Sequence, residues 1–215
     1  MARHIALIFA LAFVTACVST STLRLDSDKA PSLKNGSLVV STTDRPDFSA
    51  MTTNSAVFPE IGALPGVRAG NRIVRSYGIE DPAIYIGTRL ATRMAEAHEM
   101  ALAPGTVRGE DDTIENLATN LAGYDYALDT RTITWSFTYF PTDFNNYRVI
   151  YSAKVRRIEL GSNQTIAEAF CARVPEQTPD SPTYEQLLNR GAERLKMELR
   201  AAAEYCAQEL SSKLF

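Results

Sequence analysis

Thr132-Ile133-Thr134-Trp135-Ser136-Phe137-Thr138-Tyr139 alternates polar and apolar residues without a break. That is the period-2 pattern of a strand with one covered and one open face. A polar connection holding Pro141, Asp143, Asn145 and Asn146 follows, and Tyr147, Val149, Tyr151, Ala153 and Val155 resume the alternation. The apolar phase then jumps to Ile158 and Leu160, which predicts a bulge or bend near Arg156-Arg157. Gly161-Ser162-Asn163 predicts a turn and Thr165 to Cys171 a third strand, while Tyr124 to Leu128 adds a strand or merges with the one after it. Leu38-Val39-Val40 supplies a short β-branched strand earlier in the chain.

Helical periodicity surrounds this meander. Asp81-Pro82 combines a capping side chain with a proline suited to a first helical turn. The pattern runs through Ile86, Leu90, Met94 and Leu102 until Pro104-Gly105 stops it. Asp111-Asp112 cap a shorter helix from Thr113 to Ala122, closed by Gly123. Ser181, Pro182 and Thr183 open the longest helix, with Leu188, Leu195, Leu199, Ala202, Cys206 and Leu210 about one turn apart. The predicted fold is α+β: an antiparallel meander of four to five strands with two to three helices on one face. Arg45 to Pro82 is rich in Gly and Pro and reads as a long loop, an uncommon feature that is usually functional or disordered.

Composition narrows the function classes. The chain has 215 residues, 45% hydrophobic and 22% charged, the balance of one globular domain. Its net charge of −3 provides no basic excess for nucleic acid.

The N-terminus states an address. Arg3 and His4 precede an apolar run from Ile5 to Val14, about ten residues and so half of what a membrane-spanning helix needs. Small residues follow, as in a secretory signal peptide. Val14-Thr15-Ala16-Cys17 resembles the lipobox of bacterial lipoproteins. That resemblance implies lipidation of Cys17, cleavage before it, and anchoring by several acyl chains. The absence of Asp at Val18, by the same analogy, sends the protein to the outer membrane, facing the periplasm. The expected organisation is a signal peptide at 1–16, a polar lipidated tether at 17–37, and a single periplasmic domain at 38–215. Leu117 to Phe170 also resembles, in layout, the periplasmic α/β domains of outer-membrane accessory lipoproteins, such as the curli-secretion lipoprotein and the N-terminal domain of the Tol-system periplasmic protein.

With Cys17 lipidated, Cys171 and Cys206 remain, one ending a predicted strand and the other on the apolar face of the closing helix. In an oxidising periplasm a structural disulfide is the natural pairing; unpaired core thiols and a redox pair are the alternatives. No Cys-x-x-Cys motif, nucleophile elbow, phosphate loop or dinucleotide fingerprint is present in the sequence. His98 is the one histidine after the signal peptide and reads as a helix-surface residue. Neither a catalytic set, a metal site nor a cofactor is expected. Lys154, Arg156 and Arg157 read as a solvated strand face, with lipid headgroups or an acidic partner as the alternative. The expected function is a non-enzymatic outer-membrane lipoprotein that binds another envelope component as an assembly or accessory factor. The alternative is a lipid or small-molecule carrier, with a pocket between sheet and helices fed by the Arg45 to Pro82 segment.

Overall fold

The computed structural model describes residues 22–23, 33–52, 63–109 and 113–214. In chain order the elements are β1 (Ser37–Thr42), β2 (Ser49–Met51), α1 (Ala63–Tyr77), α2 (Pro82–His98), β3 (Ala101–Arg108), α3 (Ile114–Asn120), β4 (Tyr126–Phe140), β5 (Asp143–Glu159), β6 (Gln164–Arg173) and α4 (Tyr184–Leu214). The sheet runs β3-β1-β4-β5-β6, and β2 pairs with β4.

The α+β class holds, but the sheet is mixed. The antiparallel meander is limited to β4, β5 and β6, whereas β1 is parallel to both β3 and β4, and β2 is parallel to β4. Helical connections explain this. A helix between two strands of one sheet returns the chain to its starting end, so the strands run the same way. The expected tally of strands and helices was short because β3 and α1 read as something else. Ala101 to Arg108, read as a helix end and its stop, is an edge strand. Its Pro104 is tolerated there because an edge strand leaves one side of its backbone unpaired. The helix before it ends at His98, with Glu99 in the left-handed conformation (φ 55°).

Half of the expected Arg45 to Pro82 loop is likewise structured, as β2 and α1. Gly66 and Gly70 mark close packing, whereas Gly78, in the left-handed conformation (φ 58°), lies in the turn after α1. A Cβ on Gly70 would lie 2.1 Å from the Phe48 carbonyl oxygen, and one on Gly66 3.2 Å from that of Ala50. Gly70→Ala should therefore lower stability by about 1–3 kcal/mol by overpacking, although alanine favours a helix over glycine by about 1 kcal/mol. A urea midpoint raised by this substitution would contradict the packing of α1 on β2.

Two cores lie on opposite faces of the sheet. The larger packs α2 and α4 on the sheet through Ile86, Leu90, Met94, Leu195 and Leu199 against Leu128, Val155 and their neighbours. The smaller joins Val39, Ala127, Ile158 and Leu160 to Leu117 and Leu121. Helix α3 thus covers the second face, correcting the expectation that all helices share one. Successive strand residues point to opposite faces, so Leu38 and Val40 serve the first core while Val39 serves the second.

The N-terminal boundary also shifts. Leu33, within the expected 17–37 tether, is fully buried in the larger core. Leu23 exchanges two backbone hydrogen bonds with Glu168, its N–H donating at 2.9 Å and its carbonyl accepting at 2.8 Å. A polar composition masked these two leucines.

Individual signals place the ends. The Asp81 carboxylate accepts from the Ala83 N–H at 3.0 Å and Pro82 occupies the first turn of α2, as expected. Thr113 caps α3, its hydroxyl accepting from the Asn116 N–H at 3.4 Å; Asp111 and Asp112 lie outside the described residues. Thr183 and Gln186 cap α4 reciprocally, with the Thr183 N–H donating to Gln186 Oε1 (2.8 Å) and the Gln186 N–H to Thr183 Oγ1 (3.2 Å). Helix α4 is not continuous as its periodicity suggests. Its path breaks at Asn189–Ala192, where Arg190, Gly191 and Ala192 take left-handed φ values. The β5–β6 register shifts between Arg157 and Ile158, near the expected bulge or bend, but the extra residue is Ile166 of β6 and β5 itself keeps its alternation; an unforeseen shift in the β4–β5 register falls between Thr132 and Thr134. The second shift leaves Ile133 exposed.

Candidate functional site

Helices α2 and α4 pack side by side over the sheet, and a groove of about 470 Å³ opens between them. Its apolar part is formed by Ile79, Pro82, Ile84, Leu199 and Ala203. Ile84 is 37% exposed although no polar atom of its side chain needs water. Lys196 and Arg200 from α4 line this groove together with Glu80 and Tyr85. The Arg200 guanidinium carbon lies 3.5 Å from the centre of the Tyr85 ring, a close cation–π stack. The same Arg200 donates to Glu204 at 3.1 Å.

Beyond Tyr85 a second hollow, of about 250 Å³, continues along the helix pair between Arg89 and Arg93 of α2 and Glu204, Ala207 and Gln208 of α4. Tyr85, Arg89 and Arg93 are four residues apart, so they form one ridge of α2. Both arginines are exposed and enter none of the ion pairs of the described residues.

Below the groove, Asp81 does more than cap a helix. Thr132 donates a short hydrogen bond to its carboxylate, and the Thr132 and Tyr151 hydroxyls lie 3.0 Å apart. All three residues are buried. Burial, followed by the Asp81 charge, holds the Tyr151 hydroxyl above its ordinary pKa. This chain is internally satisfied, so it fixes the start of α2 relative to β4 and β5.

The space between sheet and helices, where a carrier pocket was expected, is filled by the larger core. The groove lies instead on the outer side, between the helices. The segment expected to feed a pocket contributes Gly78 to Pro82 to its wall. Arg89, Arg93 and Arg200 were missed as site residues. The four-residue spacing of the first two behind Tyr85 was the available signal.

The expected basic face behaves differently. Arg156 donates from Nε (2.9 Å) and Nη2 (2.8 Å) to Asp129, and Arg131 reaches the same oxygen at 2.7 Å. Lys154 pairs with Glu168 at 2.8 Å. Arg157 is fully buried, its Nη2 donating to the Leu214 carbonyl at 3.5 Å, and burial lowers its pKa to about 10. Arg157 follows Tyr151, Ala153 and Val155 on the face that packs under α4, while strand pairing brings carboxylates to its neighbours. The cluster is therefore internal structure and not a solvated face.

Cys171 of β6 and Cys206 of α4 are joined by a disulfide, with Cα atoms 5.5 Å apart. Cys17 lies outside the described residues. His98 ends α2 half-buried, and burial, then the nearby Arg157 charge, lowers its pKa. Among the described residues no group of three or more His, Cys, Asp or Glu is placed to hold a metal ion. No described helix is long and apolar enough to cross a membrane.

No family model and no curated protein matches the sequence. Several solved structures are distantly similar. The PelC dodecamer from Paraburkholderia phytofirmans matches at 10% identity and a TM-score of 0.34, over 84% of this chain and 89% of that one. The hypothetical protein CT253 from Chlamydia trachomatis matches at 11% identity and 0.38, over 81% and 94%. Lipoprotein GNA1162 from Neisseria meningitidis matches at 12% identity and 0.28, over 80% and 99%. Likenesses this distant carry no functional argument, and the site must be read from its own residues.

Proposed function

We propose that this chain is a lipoprotein of the bacterial envelope, anchored at Cys17 in the outer membrane with its domain in the periplasm. In this reading it binds another envelope component as a non-enzymatic assembly or accessory factor. The lipobox-like Val14-Thr15-Ala16-Cys17 supports the anchor, and the Cys171–Cys206 disulfide suits an oxidising compartment. The observation that carries the binding role is the open α2–α4 groove, which sets the exposed Ile84 and a floor of buried apolar side chains near Arg89 and Arg93, two arginines with no ion pair among the described residues.

Cys17→Ala should leave the precursor uncleaved and block incorporation of labelled palmitate, with the wild type processed and labelled. Normal processing of the variant would refute the anchor. The carrier reading has one observation in its favour: a volume of about 470 Å³ lies within the range of small-molecule sites. Native mass spectrometry of the detergent-extracted protein separates the two. A bound protein supports the accessory role, whereas a stoichiometric small molecule alone would replace it with the carrier.

A further inference from the structure

We propose that the α2–α4 groove takes an acidic protein segment: an apolar side chain seated on Ile84, Leu199 and Ala203, and neighbouring carboxylates on Arg89 and Arg93. This rests on the binding reading above and names the chemistry of the partner.

Charge is the first argument. The whole chain carries −3, yet α1 and α2 together hold Arg68, Arg72, Arg75, Arg89 and Arg93 against the single acid Glu96. All five arginines are exposed. The opposite sign is concentrated elsewhere, so the positive potential on these two helices is a local departure rather than a property of the protein. Such a surface steers and selects an anionic partner.

The composition of the groove is the second. Two of its acidic side chains are already engaged, and the third, Glu80, lines the apolar hollow with Lys196 and not the hollow lined by Arg89 and Arg93. Glu204 is held by Arg200 at 3.1 Å, and Asp81 is buried in its hydrogen-bonded chain with Thr132. In the hollow that they share with Glu204, Arg89 and Arg93 are thus the cations left to meet an incoming charge. Planar guanidinium groups favour carboxylates because two parallel N–H donors match two oxygens. The Arg200–Tyr85 stack separates the cationic end from the apolar end, so one occupant must offer both chemistries in sequence. An open groove running along two helices suits a length of polypeptide better than a ligand that must be enclosed.

The test uses the folded, disulfide-bonded domain and two fluorescent helical peptides with the same leucine pattern, one bearing Glu and the other Lys at every polar position. Fluorescence anisotropy at low and physiological salt is the readout, with Arg89→Glu/Arg93→Glu as the variant. Both positions are exposed, and a circular dichroism melt confirms that the variant folds. The Glu peptide should bind, weaken with salt, and lose about tenfold or more in affinity on the charge reversal. The Lys peptide should gain from that reversal. Equal binding of both peptides, or affinity for the Glu peptide unchanged in the variant, overturns the proposal. So does binding of anionic phospholipid vesicles, but not of the Glu peptide, through Arg89 and Arg93. A partner cross-linked equally well to wild type and variant in cells would keep the accessory role and remove it from this groove.

Discussion

Replacing Asp129 with Ala should cost the domain about 3–5 kcal/mol, the range for removing one member of a buried ion pair. The Asp129 side chain is 1% exposed, and those of Arg131 and Arg156, which converge on its Oδ2 at 2.7 and 2.8 Å, are 12% and 13% exposed. Ser41 of β1 adds a hydrogen bond at 3.4 Å, so the carboxylate ties β1, β4 and β5 together. Removing it leaves two guanidinium groups in a poorly solvated place without the charge that offsets their desolvation. Asp129→Asn keeps an oxygen acceptor and should fall between wild type and Asp129→Ala. Urea titration at neutral pH measures both. A loss below about 1 kcal/mol for Asp129→Ala, the size of a surface ion pair, would mean that the cluster is effectively in water.

Loss of the disulfide should have a comparable effect. Cys171 and Cys206 are 35 residues apart, and closing a loop of that length limits the unfolded chain by roughly 3–4 kcal/mol in the chain-entropy model. The bond also fastens α4, which carries much of the larger core, to the outer strand of the meander. Cys206→Ala should lower the melting temperature by about 10 °C, given about 2–4 °C per kcal/mol for a domain of this size. Reductant should produce a similar fall in the wild type and no further fall in the variant. A reductant-insensitive wild type would show that the bond contributes nothing to the folded state's advantage.

Sequence legibility followed physical context. The strand through Trp135 and Phe137 was readable because one face is core and the other open, and the Asp81-Pro82 start was readable because capping is local. The phase break after Val155 marks a change of covered face, because Ile158 belongs to the second core while the buried Arg157 takes the place of an apolar residue in the first. Edge strand β3 was not, because it is exposed on both sides of its pleat and so shows no alternation. Helix α1 was hidden by Gly66 and Gly70, which read as chain breakers until β2 is placed beneath them. The roles of Arg156 and Arg157 depend on register: only strand pairing brings Asp129 opposite Arg156. The groove shows the same division. Arg89 and Arg93 share a ridge by local spacing, but the Arg200 that stacks on Tyr85 reaches it through packing between distant helices.

The folded domain is proposed to meet another component of the envelope. Chemical cross-linking of the native protein in intact cells, followed by mass spectrometry of protein and lipid, tests it most directly. The expected result is a reproducible envelope protein joined to the domain in the membrane fraction. Recovery of the protein with no partner, under conditions that cross-link known envelope complexes, would contradict it.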